Sequence, residues 1–281
     1  LKLEIMKRIL VPTDFSAYAE DALKAAAQIA KKNNSEIFLL HMLELPHQMS
    51  DAITGGSSIP EVMLFMEKAQ EMFEKIKERS YLKDILITEA VQFEKAFDGI
   101  ITFSKKNKID LIVMGSHGTS GFEEMLIGSN TEKIVRHSEI PVLVIKKNKD
   151  NFKTDTIVFA SDFSKEAKKP FKKLIKFASI FDSNLDLVMI CTPNSFKTTT
   201  IAEKTMKDFV SDFEIKKYNT HIYNDANVEK GILNFTNNTN GDIIAICTHN
   251  RTALSHFFNG SISEDLVNHA NKPVLAFKIQ K

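Results

Sequence analysis

Hydrophobic and polar positions follow two alternating patterns along this chain. In its first half, short aliphatic runs typical of buried strands occur at 8–12, 36–42, 85–93, 111–114 and 142–146. Between them, apolar residues recur at helical spacing over 19–31, 61–78, 98–106 and 129–137. Strands that alternate with helices predict a parallel sheet covered by helices on both faces. Ligands of such sheets bind at the carboxyl ends of the strands.

The whole pattern occurs twice. The octapeptide ILVPTDFS at 9–16 returns as IVFASDFS at 157–164, an offset of 148 residues. Near the end of each copy, PVLV at 141–144 returns as PVLA at 273–276, an offset of 132 residues. The second copy is therefore 16 residues shorter, and the missing stretch is a loop predicted between its second and third strands. We predict two domains, 1–148 and 149–281, whose short polar joint makes them pack against each other.

Composition narrows the function classes. The chain has 281 residues, and its 37 basic residues balance 36 acidic ones, which disfavours nucleic acid binding. Apolar runs are too short for a membrane span, and the N-terminus lacks a signal-peptide pattern. The two cysteines, Cys191 and Cys247, have no disulfide or metal spacing. We therefore predict a cytoplasmic protein with no membrane or nucleic acid partner.

The segment after the fourth strand carries the strongest candidate chemistry. It combines glycines with the start of a helix, through Gly115, His117, Gly118, Gly128, Ser129 and Asn130. Glycines let a backbone approach a ligand closely, and a helix N-terminus attracts phosphate. The pattern predicts a phosphate cradle, but an alternative stays open in which the glycines only form turns and Ser129 only caps its helix. His117 could likewise line the phosphates or fill a turn.

A second candidate is Asp14, just after the first strand, which recurs as Asp162. Its carboxylate can accept from a ligand, cap the following helix, or do both. The chain lacks the P-loop pattern, a GxGxxG after the first strand, and metal-ligand spacing. It also lacks an evident nucleophile and base pair, so an enzyme is less favoured than a binding module.

Three motifs together resemble the universal stress protein family. VPTDFS at 11–16 resembles the family's first strand, and IPVLV at 140–144 resembles its closing strand. The GxxG-x9-GS pattern over 115–129 resembles its ATP loop. The motifs occur in the family's order and extend over nearly the whole chain, twice. The chain is thus similar to the tandem, two-domain members of the family.

The resemblance implies an α/β fold of two fused domains. Each would be a five-stranded parallel sheet with helices on both faces, Rossmann-like and similar to adenine nucleotide alpha hydrolases. The domains would pair through their fifth strands, at 142–146 and 274–278. A fused pair of this kind can also form a homodimer.

The resemblance also implies an ATP-binding regulatory module in stress response, with Mg²⁺ accompanying the nucleotide. Asp14 would contact the ribose or adenine side, Met42 the base, and Ser129 with the loop glycines the phosphates. The full set of implied binding residues is Pro12, Thr13, Asp14, Met42, Gly115, His117, Gly118, Gly128, Ser129 and Asn130. Phe97 could narrow the adenine pocket.

The second copy departs from the family pattern. Cys247 and Asn250 stand at the positions of Gly115 and Gly118, so we expect weak or no ATP binding there and a role as packing partner. Two alternatives for the whole protein remain open. One is a nucleotide-free scaffold, and the other is a slow ATPase using acids near the phosphates, of which Asp14, Glu123 and Glu124 are the nearest.

Overall fold

The computed structural model describes residues 6–44, 59–117, 127–146, 152–248 and 260–279. The first copy contains strands β1 (Arg8–Thr13), β2 (Glu36–Met42), β3 (Ile87–Gln92), β4 (Leu111–Gly115) and β5 (Val142–Ile145). Its helices are α1 (Ala17–Asn33), α2 (Ile59–Lys77), α3 (Ala96–Lys106) and α4 (Ser129–His137). The elements follow the order predicted from the hydrophobic pattern, and the α/β fold class is confirmed.

The second copy repeats this order. Its strands are β6 (Thr156–Ala160), β7 (Asn184–Cys191), β8 (Tyr218–Asn224), β9 (Ile243–Thr248) and β10 (Val274–Lys278). Its helices are α5 (Lys168–Phe181), α6 (Thr199–Val210), α7 (Val228–Asn238) and α8 (Gly260–His269). Single 3-10 turns occur at Ser80–Leu82 and Lys165–Ala167.

All ten described strands form one sheet, in the order β3-β2-β1-β4-β5-β10-β9-β6-β7-β8. Within each copy the paired strands are parallel, which places their carboxyl ends along one edge. Among the described strands, β5 and β10 alone pair antiparallel, with Val144 opposite Val274 and Val142 opposite Ala276. The carboxyl edges of the two copies therefore face opposite ways along the sheet.

Adjacent residues of a strand point to opposite faces of the sheet, so the apolar runs place hydrophobic side chains on both faces. Helices pack against each face and form two cores. Val11 faces a core that includes Phe73 of α2 and Phe171 of α5. Its neighbour Leu10 faces the other core, which includes Ile134 of α4 and Leu266 of α8. The inner strands, such as β4, β5 and β9, are buried on both faces, which explains why they appear as continuous apolar runs rather than alternating ones. The edge strands β3 and β8 are only partly buried.

One helix boundary differs from its prediction for a tertiary reason. The pattern places the start of α3 at Asp98, whereas the helix begins at Ala96. The Glu44 carboxylate, 52 residues earlier in the chain, accepts from the Ala96 N–H at 2.8 Å. This contact supplies the cap that Lys95 does not provide. A cap from a distant residue leaves no local signal.

None of the described helices is both long enough and apolar enough to cross a bilayer.

Candidate functional site

A cavity of about 290 Å³ opens at the carboxyl ends of β1, β2 and β4. Nine of the ten residues predicted for binding line it, namely Pro12, Thr13, Asp14, Met42, Gly115, His117, Gly128, Ser129 and Asn130. The tenth, Gly118, lies outside the described residues. The cavity lies where the strand order reverses between β1 and β4, which is the usual place for ligands of open α/β sheets.

A tight turn between β1 and α1 orients the first wall of the cavity. Phe15 takes a left-handed conformation with φ 63°, and its N–H donates to Thr13 Oγ1 at 3.0 Å. The Ser16 N–H donates to Asp14 Oδ1 at 3.1 Å, and Ser16 Oγ in turn accepts from the Ala19 N–H. Ser16 is therefore the N-cap of α1, rather than Asp14. The Asp14 carboxylate is anchored by this turn and lines the cavity.

Gly115 is required by a close helix approach. A Cβ at this position would lie 2.8 Å from the carbonyl oxygen of Tyr18 and 2.9 Å from its carbonyl carbon. Both are backbone atoms of α1, which cannot move independently of the helix. The sequence predicted a glycine that lets the backbone approach a ligand, and the structure adds a packing reason for the same residue.

The opposite wall is the N-terminus of α4. Gly128 is the N-cap, with φ −60° and ψ 138°, and no side chain among the described residues caps the helix. The alternative in which Ser129 only caps α4 is therefore wrong, because Ser129 is the first helical residue. Thr131 Oγ1 donates to the Gly115 carbonyl at 3.0 Å, which joins the helix to the end of β4. The first turn of α4 thus presents amides and a positive dipole end beside the cavity.

His117 forms part of the cavity wall. Its Nδ1 lies 2.9 Å from Ser116 Oγ, and its ring centroid lies 5.0 Å from that of Tyr18. These contacts hold the imidazole between the end of β4 and α1.

The remaining wall is apolar and was largely missed by sequence reasoning. Met42 was predicted there, and the structure adds Leu40 from the same strand together with residues from two further elements, α3 and β4: Ala96, Ile100 and Met114. Leu40 and Met42 lie two residues apart on β2, and Ala96 and Ile100 lie four apart on α3, so periodicity places each pair on one face of its element. It does not show that this face lines a pocket. Thr131 lines the cavity beside Ser129 and Asn130, as the polar pattern of this segment indicates, and Ala19 and Glu44 line it without having been predicted.

Two details shape this apolar end. A Cβ on Gly99 would lie 2.1 Å from Met42 Cε, so the glycine makes room for the methionine side chain. Phe97 is not a lining residue, and its ring packs instead against His137 at 5.7 Å. The expected narrowing by Phe97 is therefore not found among the lining side chains.

Within the described ranges, no three His, Cys, Asp or Glu side chains cluster closely enough to hold a metal ion.

The second copy preserves the turn of the first. Phe163 has φ 57°, and its N–H donates to Ser161 Oγ at 3.0 Å. The Ser164 N–H donates to Asp162 Oδ1 at 3.0 Å, in the same way that Ser16 donates to Asp14. The two copies therefore hold equivalent carboxylates in matching local geometry.

The second copy differs at the position of Gly115. Cys247 stands there with its thiol buried, and this burial together with nearby Asp162 raises the pKa of the thiol. A side chain here needs the space that the first turn of α1 occupies in the first copy. Correspondingly, the helix after β6 opens with a 3-10 turn and becomes α-helical only at Lys168. Ser164 Oγ, the counterpart of the Ser16 cap, is buried and finds no partner among the described residues.

The fold and the cavity together define a tandem α/β protein with a ligand pocket at the strand edge of its first half. The sequence model of the universal stress protein family matches residues 6–146 and 153–278. The chain therefore belongs to the universal stress protein family, in a two-domain arrangement.

Individual relatives agree with this assignment. Universal stress protein MJ0531 of Methanocaldococcus jannaschii is 33% identical over 146 residues, covering 52% of this chain and 85% of the relative. Universal stress protein Slr1230 of Synechocystis is 24% identical over an alignment that covers 97% of this chain and 100% of the relative. A universal stress protein from Archaeoglobus fulgidus has a crystal structure that matches with a TM-score of 0.76 at 23% identity. That match covers 99% of this chain and 98% of the other, so the fold is shared over both domains.

Proposed function

We propose that the first domain, residues 1–148, binds ATP or a closely related adenine nucleotide and acts as a regulatory module in stress response. One observation carries the proposal: a single cavity combines an apolar wall, an anchored carboxylate and a helix N-terminus whose N-cap, Gly128, adds no capping side chain. A nucleotide presents the matching groups, which are a planar base, ribose hydroxyls and phosphates. Membership of the universal stress protein family supports the same assignment.

Each part of the nucleotide has residues suited to it. Leu40, Met42 and Ile100 would contact the base, since burying apolar surface stabilises binding. Asp14 would accept hydrogen bonds from ribose hydroxyls, because an ionised carboxylate is an acceptor only. The first amides of α4, from Ser129 and Asn130, would hold the phosphates.

Mg²⁺ fits this arrangement as a companion of the nucleotide. Magnesium is commonly bound through phosphate oxygens and water, with one or two protein carboxylates. Because Asp14 would face the ribose, the metal would be held mainly through phosphate oxygens and water. The metal would neutralise phosphate charge when bound, while Asp14 orients the nucleotide.

We propose further that the second domain, residues 149–281, does not bind nucleotide and serves as a packing partner. Its Cys247 side chain and its altered helix start support this assignment. The antiparallel register of β5 and β10 supports pairing of the domains through their fifth strands. A homodimer of the fused pair and a cytoplasmic location stay predictions.

The test compares two equivalent aspartates in the full-length protein. Asp14→Ala and Asp162→Ala remove the same turn hydrogen bond from each copy, at 3.1 Å and 3.0 Å. The loss of this turn hydrogen bond is therefore common to both variants, and of the two aspartates only Asp14 lines the cavity. In calorimetric titrations with ATP and Mg²⁺, we expect Asp14→Ala to weaken binding about 10- to 100-fold, as expected when a hydrogen bond to a charged group is lost. Asp162→Ala should bind as the wild type does.

The outcomes separate the alternatives. No binding by the wild type, together with no nucleotide in a denatured extract, would refute the proposal and favour a nucleotide-free scaffold. Equal weakening by both variants would show that Asp14 acts through the fold alone. Phosphate release measured on the same samples distinguishes binding from slow hydrolysis. We expect the rate of release with the wild-type protein to be no higher than the rate in buffer alone.

A further inference from the structure

A hydrogen bond links the second domain to the wall of the first domain's cavity. The Ile127 N–H donates to Asn268 Oδ1 at 2.7 Å, across 141 residues of sequence. Ile127 immediately precedes Gly128 and Ser129, which line the cavity. Asn268 lies in the last turn of α8, so a side chain of the second domain contacts the entry to α4.

This entry segment is held by both domains. The Gly128 N–H donates to the Ser116 carbonyl at 2.8 Å, a contact within the first domain. The adjacent Ile127 N–H is satisfied by Asn268, a contact with the second domain. The Ile127 side chain is buried in the core shared by α4 and α8, with 7% exposure. Because these residues lead directly into α4, their position determines where the Ser129 and Asn130 amides point.

Asn268 is itself held in place from the first domain. Lys146, which follows β5, donates from Nζ to the Val267 and Asn268 carbonyls near the C-terminus of α8. A cation suits this end of the helix, because its last carbonyls are otherwise unpaired. The internal repeat supplies a reciprocal contact, in which Lys278 donates to the His137 carbonyl of α4 at 3.0 Å.

The Asn268 contact is not repeated by the same residue type. At the offset of 132 residues, Asn268 corresponds to Arg136 in the first copy. The lysine contacts are therefore common to both copies, whereas an asparagine acceptor is present in the second copy alone. Asn268 therefore contacts the first domain, whose cavity has the intact glycine pattern.

We propose that Asn268 is a positioning residue for the nucleotide site of the first domain. By accepting from the Ile127 N–H, it holds the entry to α4 and so aligns the amides that face the phosphates. The second domain thus contributes to a site that none of its described residues lines. This inference rests on the proposed nucleotide binding by the first domain.

The experiment uses the full-length protein and titrates ATP with Mg²⁺ into three forms. Asn268→Ala removes the acceptor, and we expect its affinity to fall about threefold to tenfold, as is typical for one hydrogen bond. His269→Gln is the matched control, because His269 follows Asn268 on α8 but contacts Glu229 within the second domain. His269→Gln should bind as tightly as the wild type.

A second measurement tests the contact itself. In ligand-free protein, exchange of the Ile127 amide hydrogen should be faster in Asn268→Ala than in the wild type. Asn268→Asp keeps an acceptor oxygen, so it should retain slow exchange at this amide. Rescue by aspartate but not by alanine is expected of a hydrogen-bonding role and not of simple packing. If Asn268→Ala fails to fold, Asn268→Leu takes its place, because it keeps the side-chain volume but has no acceptor and should show fast exchange at the Ile127 amide.

The failures are distinguishable. If the wild type binds ATP and Asn268→Ala binds equally well, the positioning role is refuted and the proposed function stands. If the Ile127 amide exchanges rapidly in the wild type, the contact is absent and the inference falls. If the wild type binds no nucleotide, the proposed function fails and the inference fails with it.

Discussion

Gly115→Ala tests whether the helix approach, rather than backbone freedom, makes glycine necessary at the end of β4. The added Cβ would lie 2.8 Å from Tyr18 O and 2.9 Å from Tyr18 C. Separations below 3.0 Å between such atoms are not tolerated, so either α1 or β4 must shift. Both elements are packed into the core, and we expect a destabilisation of about 1–3 kcal/mol, the usual cost of overpacking.

The matched control is Gly99→Ala in the same domain. Its added Cβ would approach even closer, 2.1 Å from Met42 Cε, but that atom is the end of a flexible side chain. Met42 can rotate away, and alanine is favoured over glycine within a helix by about 0.5–1 kcal/mol. Gly99→Ala should therefore leave the free energy of unfolding nearly unchanged or slightly raised.

Thermal unfolding by circular dichroism measures both variants. For a chain of this size, each kcal/mol shifts the melting temperature by about 2–4 °C, so Gly115→Ala should melt about 2–12 °C below the wild type. Gly99→Ala should melt within about 2 °C of the wild type. If Gly115→Ala melts with the wild type, or both variants are lowered equally, the steric reasoning is refuted.

Two further predictions concern the second domain. Gly231→Ala should lower the melting temperature more than Gly99→Ala, because its Cβ would lie 2.5 Å from Cγ2 of the stiff, β-branched Ile190 side chain; equal melting of the two variants would contradict this. Cys191 and Cys247 are both buried, and burial raises the pKa of the Cys247 thiol. A thiol reagent at pH 8 should therefore label neither cysteine in the native protein and both cysteines after denaturation. Rapid labelling of native Cys247 would contradict its placement in the core.

Much of the candidate site could be predicted from the chain because its chemistry lies at strand ends. Parallel strands place their carboxyl ends at one edge, so residues far apart in sequence meet there without further information. Asp14 follows β1, Met42 ends β2, and Gly115 ends β4. Glycine and cap patterns are also local, which is why the start of α4 was recognisable.

Other parts of the site carry no local signal. Glu44 caps α3 from 52 residues away, and Asn268 accepts from Ile127 across 141 residues. Leu40 and Met114 line the cavity because of the side of the strand they occupy. Their role depends on which helix faces each strand, and hydrophobicity alone does not distinguish a core position from a pocket wall.

The amino-acid pattern is sufficient for the fold class, the internal repeat and the location of the candidate site. These follow from hydrophobic periodicity and from glycine and cap residues, whose preferences act over a few neighbouring positions. The closeness of α1 to Gly115 and the contact of α8 with the entry to α4 arise only when the helices pack on the sheet. Such contacts depend on distances between separate elements, which local preferences leave open and close packing of the core decides.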